Sequence, residues 1–149
     1  MKRNEKTNLK LLAKNQEDLK VISAYIQDSL VTIKNIVFLK KNRIFIMIID
    51  RFMWENIDKD TLSEKKRIRS AIKFDEVLKV KSKEINQKNL NKRFEFLAIK
   101  SRKILDNNYE VKIFFSGGGV ITLILESIEI VMHDLGEAWN VKHIPTHKI

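Results

Sequence analysis

Arg43–Phe52 reads RIFIMIIDRF, and the run from Ile44 to Ile49 is the longest unbroken apolar stretch in the chain. Because side chains alternate between the two faces of a strand, this segment is apolar on both faces. Such a strand belongs at the centre of a sheet that is covered on both sides, or inside a closed barrel. Val31–Leu39 precedes it across Lys40–Asn42, and this arrangement predicts a hairpin.

The residues before this hairpin predict one strand and one helix. Leu9–Ala13 is a short apolar segment of strand character. Asn15 then offers a side-chain cap, and two acidic residues follow in the first helical turn. From Leu19 onward apolar residues recur at helical spacing, so we expect an amphipathic helix over Gln16–Gln27.

Further strands are expected after the hairpin. Ile72–Val80 alternates mainly apolar residues on one face with charged residues on the other, and Phe94–Ile99 is another strand candidate. Tyr109–Phe115 and Val120–Glu126 flank Ser116–Gly119, whose glycines supply the positive φ angles of a tight hairpin. The expected loops are the polar segments 57–66 and 83–92.

Ser127–Leu135 fits two different structures. Apolar residues at helical spacing, followed by Gly136, predict a helix that ends at this glycine. The alternation through Ile130 and Met132 predicts a continuing strand instead. We favour the helix, and the strand remains the alternative.

The expected fold is an α+β domain dominated by antiparallel pairs, with about six to seven strands, one N-terminal amphipathic helix and one C-terminal helix. A pleckstrin-homology-like barrel is compatible with this order of elements. The length suits a single domain over residues 1–149 with a real core. We expect its ends, at about 1–8 and 143–149, to be flexible.

The composition argues against several classes of protein. Without cysteine, the chain has no disulfides, thiol nucleophiles, thiolate zinc sites or iron–sulfur clusters. Its longest apolar run falls far short of the roughly 20 residues of a membrane-spanning helix. The charged residues 1–6 are not followed by an apolar stretch, so a secretory signal is not expected. We therefore expect a cytoplasmic protein without a membrane span or a cofactor.

The formal net charge of +10 is concentrated in the middle of the chain. Residues 64–103 contain 14 basic and 5 acidic side chains, whereas residues 104–149 contain 3 and 6. A basic segment of this kind is a candidate footprint for nucleic acid or another polyanion. The alternative is that the lysine content is compositional, because lysine, isoleucine and asparagine are abundant together. The candidate polyanion-binding residues are Lys65, Lys66, Arg67, Arg69, Lys73, Lys79 and Lys81.

Arg51, Trp54 and Glu55 form the most distinctive constellation, at the end of the central strand. Tryptophan and arginine are favoured anchors of protein interfaces, so these three residues are candidates for binding a partner. The alternative is that Trp54 closes one end of the core while Arg51 pairs with a carboxylate such as Glu55.

Two further motifs favour structural interpretations. Gly117–Gly119 leads into a strand, whereas a phosphate-binding loop needs Gly-Lys-Ser/Thr before a helix, so the hairpin is favoured. His143 and His147 have a ligand spacing only on a helix, and Pro145 between them opposes one. With His133 as the remaining histidine and no cysteine, we predict no metal site and no catalytic residue.

Short segments along the chain carry a further signal through their order and spacing. They are Leu11–Ala13, Asp18-Leu19, Ser23–Asp28, Arg51–Glu55, Phe94–Ile99, Gly117–Gly119, Glu126–Glu129 and Asp134–Trp139. Together they resemble a bacterial domain-of-unknown-function family, number 2948, from about Leu9 to His147. The resemblance implies a small intracellular protein without an established activity, and it supplies no catalytic residue.

The sequence leaves three functional hypotheses. The leading one is a non-enzymatic interaction module that binds a protein partner through the constellation around Arg51 and Trp54. The alternative is a nucleic-acid-associated protein that uses the basic 64–103 region. The third is an enzyme whose active site has no linear motif.

Overall fold

The computed structural model describes residues 9–56 and 65–145, which form nine strands and one α-helix. Helix α1 spans Gln16–Tyr25. The strands are β1 (Lys10–Ala13), β2 (Leu30–Leu39), β3 (Ile44–Phe52), β4 (Lys66–Phe74), β5 (Val77–Lys83), β6 (Arg93–Lys103), β7 (Tyr109–Phe115), β8 (Val120–Leu125) and β9 (Ile130–Asn140).

The nine strands form one sheet of antiparallel neighbours, in the order β1-β9-β4-β3-β2-β6-β7-β8-β5. The predicted hairpins β2–β3 and β7–β8 are both present. In the second hairpin Gly117 and Gly118 have φ angles of +84° and +91°, which a residue with a side chain rarely adopts. The strand β3 lies between β2 and β4 and is an interior strand of the sheet, as its sequence predicts.

The sheet has two halves, β1-β9-β4-β3-β2 and β6-β7-β8-β5, which meet where β2 pairs with β6. The chain crosses between them from β4 to β5 and from β8 to β9. These crossings lie side by side, because Asp75 N–H donates to the Glu129 carbonyl and Glu126 N–H to the Glu76 carbonyl, both at 2.9 Å. Arg43 adds an ion pair of 2.8 Å with Glu126. The crossings therefore hold the two halves against each other.

One apolar core includes side chains from both halves and from α1. The helix begins as predicted, since Asn15 Oδ1 accepts a hydrogen bond of 2.8 Å from Asp18 N–H. Its residues Leu19 and Ile22 are buried. Complete burial of such a side chain contributes about 1.5–3 kcal/mol, so this packing stabilises the helix far more than its cap does. Other core residues include Phe45, Met47, Ile72, Phe74, Phe96, Val111, Ile113, Phe115 and Leu123.

The expected C-terminal helix over Ser127–Leu135 is wrong, because the strand β9 begins within this segment. Ile130 and Met132 are buried and Val131 is only half-buried, which is the alternation of a strand. The strand also has antiparallel partners on both sides, β1 and β4. Two rows of ladder hydrogen bonds and the buried face of β9 together outweigh the helical spacing.

The number of strands is also corrected. Asp75 and Glu76 interrupt the expected strand Ile72–Val80, and a φ of +58° at Glu76 turns the chain into β5. The expected fold of about six to seven strands with two helices is therefore wrong, since the described residues have nine strands and one helix. The pleckstrin-homology-like barrel is wrong with it, because the late helix of that arrangement is a strand.

Several expectations about loops and ends concern residues that the structure does not describe. Residues 57–64 of the expected loop 57–66 lie outside the described residues, and Lys66 already belongs to β4. Residues 1–8 and 146–149 of the expected flexible ends also lie outside them. Within the described ranges, no helix has the length and the apolar character needed to span a membrane.

Candidate functional site

Arg51, the first residue of the predicted partner-binding set, points into the protein and is completely buried. Its Nε and Nη2 donate to the two carboxylate oxygens of Asp134, both at 2.9 Å. Its Nη1 and Nη2 donate to the two oxygens of Glu55 at 3.0 and 2.8 Å. Ser70 Oγ donates to Asp134 Oδ1 at 2.6 Å. We call Arg51, Glu55, Ser70 and Asp134 the Arg51 cluster.

The register of the sheet explains how these side chains meet. Arg51 lies opposite Ile68, and Ser70 lies opposite Asp134, so one face of three neighbouring strands carries Arg51, Ser70 and Asp134. Glu55 follows β3 in the 3-10 turn Trp54–Asn56. Burial alone would lower the pKa of Arg51, but the hydrogen bonds and charges of Asp134 and Glu55 raise it above its ordinary value. The guanidinium therefore stays charged and cross-links β3 to β9 inside the protein.

Trp54 lies beside the cluster, and both Trp54 and the cluster residue Glu55 are half-buried. Trp54 Nε1 donates to the Gln27 carbonyl at 3.0 Å, and its ring packs edge-on against Phe52 with centroids 4.7 Å apart. A shallow, open depression of about 230 Å³ is lined by Tyr25, Trp54 and Glu55. The structure thus brings the three predicted residues together, and it shows the ion pair between Arg51 and Glu55 that the alternative interpretation expects.

Six of the seven predicted polyanion-binding residues fall on two separate strands. Arg67, Arg69 and Lys73 belong to β4, whereas Lys79 and Lys81 belong to β5, and five strands separate β4 from β5 in the sheet order. Lys65 directly precedes β4 and Lys66 is its first residue, and both are half-buried.

The basic side chains Arg67, Arg69 and Lys73 of β4 form hydrogen bonds or ion pairs with other groups of the protein. Arg67 is half-buried, and its Nη1 donates to the carbonyls of Asp28 and Asp50 at 3.2 and 3.0 Å. Burial lowers the pKa of Arg67, against the opposing charges of nearby carboxylates. Arg69 pairs with Asp50 at 3.1 Å and Lys73 with Asp75 at 3.8 Å. Lys79 and Lys81 are exposed on β5, as Arg69 and Lys73 are on β4.

A groove of about 520 Å³ lies between β2 and β5, and its lining contains none of the predicted site residues. Volumes of this order are typical of ligand-binding clefts. Three polar side chains, Lys34, Ser82 and Gln87, take part in its wall. Its floor is mostly apolar and includes Ile36, Phe38, Phe45, Val80 and Ile121, and Ile85 adds an apolar side chain to the wall.

The groove runs between two strand edges that have no strand beside them in the described part of the chain. The strand β5 is the last strand in the sheet order. Ile36–Leu39 of β2 pairs with β3 on one side and has no described strand on the other. Alternate backbone N–H and C=O groups of both segments therefore face the groove.

Backbone hydrogen bonds bound this gap at its two ends. At one end Val77 N–H donates to the Arg43 carbonyl at 2.9 Å. At the other, Ile33 and Lys34 donate their N–H groups to carbonyls of the 83–92 segment, each at 3.0 Å. The edge between these ends spans about four residues of β2, or about 13 Å at the usual rise of a strand.

Exposed apolar side chains flank the same gap. Val37 and Leu39 on β2 are 43% and 42% exposed, Leu78 on β5 is 37% exposed, and Leu90 beside one end is 56% exposed. Single exposed apolar residues are common on protein surfaces, but several around one apolar cleft are typical of an interaction site.

Gly119 lies against Ile85, one of the residues that line the groove. Its φ of −70° is accessible to any residue, unlike the angles of Gly117 and Gly118. A Cβ at this position would lie 2.9 Å from Ile85 Cγ1, closer than such atoms approach. The third glycine is therefore needed for the packing of Ile85 on the groove wall rather than for the turn.

No three His, Cys, Asp or Glu side chains within the described ranges form a group that could hold a metal ion. His133 and His143 are exposed, and His147 lies outside the described residues.

Residues 9–147 match the family described as protein of unknown function (DUF2948). The chain belongs to this family. The match covers nearly the whole chain and confirms the resemblance that the order and spacing of the sequence segments indicated. No curated protein and no solved structure matches the chain significantly.

Proposed function

We propose that this protein is a non-enzymatic interaction module that binds an extended segment of a partner protein in the groove between β2 and β5. The observation that supports this proposal is the pair of strand edges on either side of an apolar floor. The backbone of an extended segment placed there would form hydrogen bonds with both edges, as donor and as acceptor. Its alternate side chains would enter the apolar floor, as in other cases of strand addition.

This proposal moves the docking surface away from the predicted Arg51 constellation. The guanidinium of Arg51 makes four hydrogen bonds inside the protein and has no exposed surface, so it serves the fold of the module. Partner contact at Trp54 and Glu55, and nucleic-acid binding by the basic residues, remain predictions. The geometry favours the groove because it combines apolar surface with backbone groups that face outward.

Selection of a random ten-residue peptide library on the full chain tests the proposal. The selected peptides should slow amide hydrogen exchange in β5 and in Ile36–Leu39, because new ladder hydrogen bonds protect these amides. Val80→Asp, which places a charge on the apolar floor, should weaken binding at least tenfold. Leu12→Asp is the matched control, since Leu12 is 55% exposed on β1, the opposite edge of the sheet.

Two results would refute the groove as the binding site. Peptides that bind but slow exchange only outside β2 and β5 would place the site elsewhere, whether or not Val80→Asp folds. Protection of β5 that rises with protein concentration in the absence of peptide would show a second copy of the chain in the groove. Circular dichroism of both variants establishes that a loss of binding is not a loss of folding.

A further inference from the structure

The groove has basic side chains along one rim. Lys79, Lys81 and Lys83 are exposed on β5, and between them Val80 and Ser82 line the groove. This alternation follows from the strand, whose successive side chains point to opposite faces. None of the three lysines has an ion pair within 4 Å among the described residues. The pKa of Glu110 is lowered chiefly by its hydrogen bond from Arg102, and the charge of Lys81 contributes least. Lys34 adds a fourth cation on the β2 side.

A segment bound in the gap would have two kinds of positions. Side chains that point inward would meet the apolar floor around Phe38 and Val80. Side chains that point outward would lie next to Lys79 and Lys81, at the spacing of directly opposed residues on neighbouring strands. Apolar residues suit the first positions, and acidic residues suit the second.

We infer that the segment bound in the groove is acidic, with apolar and acidic residues alternating over about four or five positions. This inference rests on the proposed function, because it identifies the partner of the same site. The length follows from the four residues of β2 between the bounding hydrogen bonds. The alternation follows from the apolar floor and from the lysines that alternate with it on β5.

Lysines on an edge strand also have a simpler role, which is to keep other chains from pairing with that edge. The two roles make opposite predictions. If the lysines only discourage pairing, their removal should strengthen the binding of any extended peptide. If they select an acidic segment, their removal should weaken the binding of acidic peptides and leave neutral ones unaffected.

The test uses three fluorescein-labelled peptides with blocked ends, VEVEVEV, VKVKVKV and VVVVEEE, and measures their affinities for the full chain by fluorescence anisotropy. VEVEVEV should bind at least tenfold more tightly than either of the others. Its affinity should fall as the salt concentration rises, because the lysine contacts are exposed and screened.

A pair of double variants identifies the lysines responsible. Lys79→Thr/Lys81→Thr should weaken VEVEVEV binding at least tenfold, and threonine preserves the strand propensity of β5. Lys100→Thr/Lys103→Thr is the matched control, because it removes the same charge from two exposed positions of β6. The control variant should bind as the natural chain does.

Several outcomes would overturn the inference while the proposed function stands. They are equal binding of VKVKVKV, tighter binding by the Lys79/Lys81 variant, or library-selected peptides that protect β5 without acidic residues. Displacement of VEVEVEV by a mixed-sequence RNA at equal concentration would assign the lysines to a polyanion and would also overturn it. If no peptide of any charge protects β5, the proposed function itself fails.

Discussion

The Arg51 cluster and the groove differ in whether their hydrogen-bonding groups find partners inside the protein. In the cluster, the buried guanidinium of Arg51 donates to the carboxylates of Asp134 and Glu55, and Ser70 Oγ donates to Asp134, so these hydrogen bonds close inside the protein. Along the groove, backbone groups of β2 and β5 face outward over an apolar floor. The residues with the most distinctive chemistry in this sequence therefore stabilise the fold, while the surface proposed to bind a partner consists of ordinary strand residues.

This comparison predicts its largest effect at Arg51. Arg51→Met should lower the free energy of unfolding by about 3–5 kcal/mol, because it leaves the carboxylate of Asp134 buried without its partner. Arg69→Met is the matched control, since Arg69 forms an exposed pair with Asp50 and should cost no more than about 1 kcal/mol. Urea denaturation followed by circular dichroism measures both changes.

The double variant Arg51→Met/Asp134→Leu separates the loss of the pair from the burial of an orphaned charge. It should recover part of the stability lost in Arg51→Met, because both charges are replaced by apolar groups of comparable size, while the buried Ser70 Oγ loses its acceptor. Equal losses in Arg51→Met and Arg69→Met would show that the cluster is not a buried cross-link and would remove the contrast with the groove.

A smaller effect is expected at Gly119, on the groove side of the comparison. Gly119→Ala should lower the free energy of unfolding by about 1 kcal/mol, because the new Cβ displaces Ile85 from the wall. In an Ile85→Ala background the same change should stabilise by about 0.4–1 kcal/mol, since alanine restricts the unfolded chain. A double-mutant cycle by urea denaturation measures the difference, and additive effects would contradict the assigned contact.

The sequence predicts what depends on local pattern. The apolar run of β3, the hairpin around Gly117–Gly119 and the cap at Asn15 are all recognisable within a few residues. The ion pair of Arg51 with Glu55 spans four residues and was also foreseen, whereas Asp134 lies 83 positions away. Non-local pairings of this kind have no signal in a single sequence.

The missed elements have the same physical origin. The strand β9 forms because β1 and β4 pair with it on both sides, and neither neighbour is adjacent to it in sequence. The groove depends on β2 and β5 lying across from each other, which follows from the two crossings between the sheet halves. The sequence does show that lysines alternate along β5. Whether they face a groove depends on β2, which the sequence does not place beside that strand.

The smallest effect on stability is expected at the rim of the groove. Val37→Thr, Leu39→Thr and Leu78→Thr should each change the free energy of unfolding by no more than about 0.5 kcal/mol, because these side chains are exposed. If apolar rim contacts are part of docking, the same variants should nevertheless weaken the binding of library-selected peptides. Urea denaturation and fluorescence anisotropy on one set of proteins separate the two quantities. Rim variants that lose stability without losing peptide affinity would assign these apolar residues to the fold, as Arg51 is, and would restrict docking to the apolar floor.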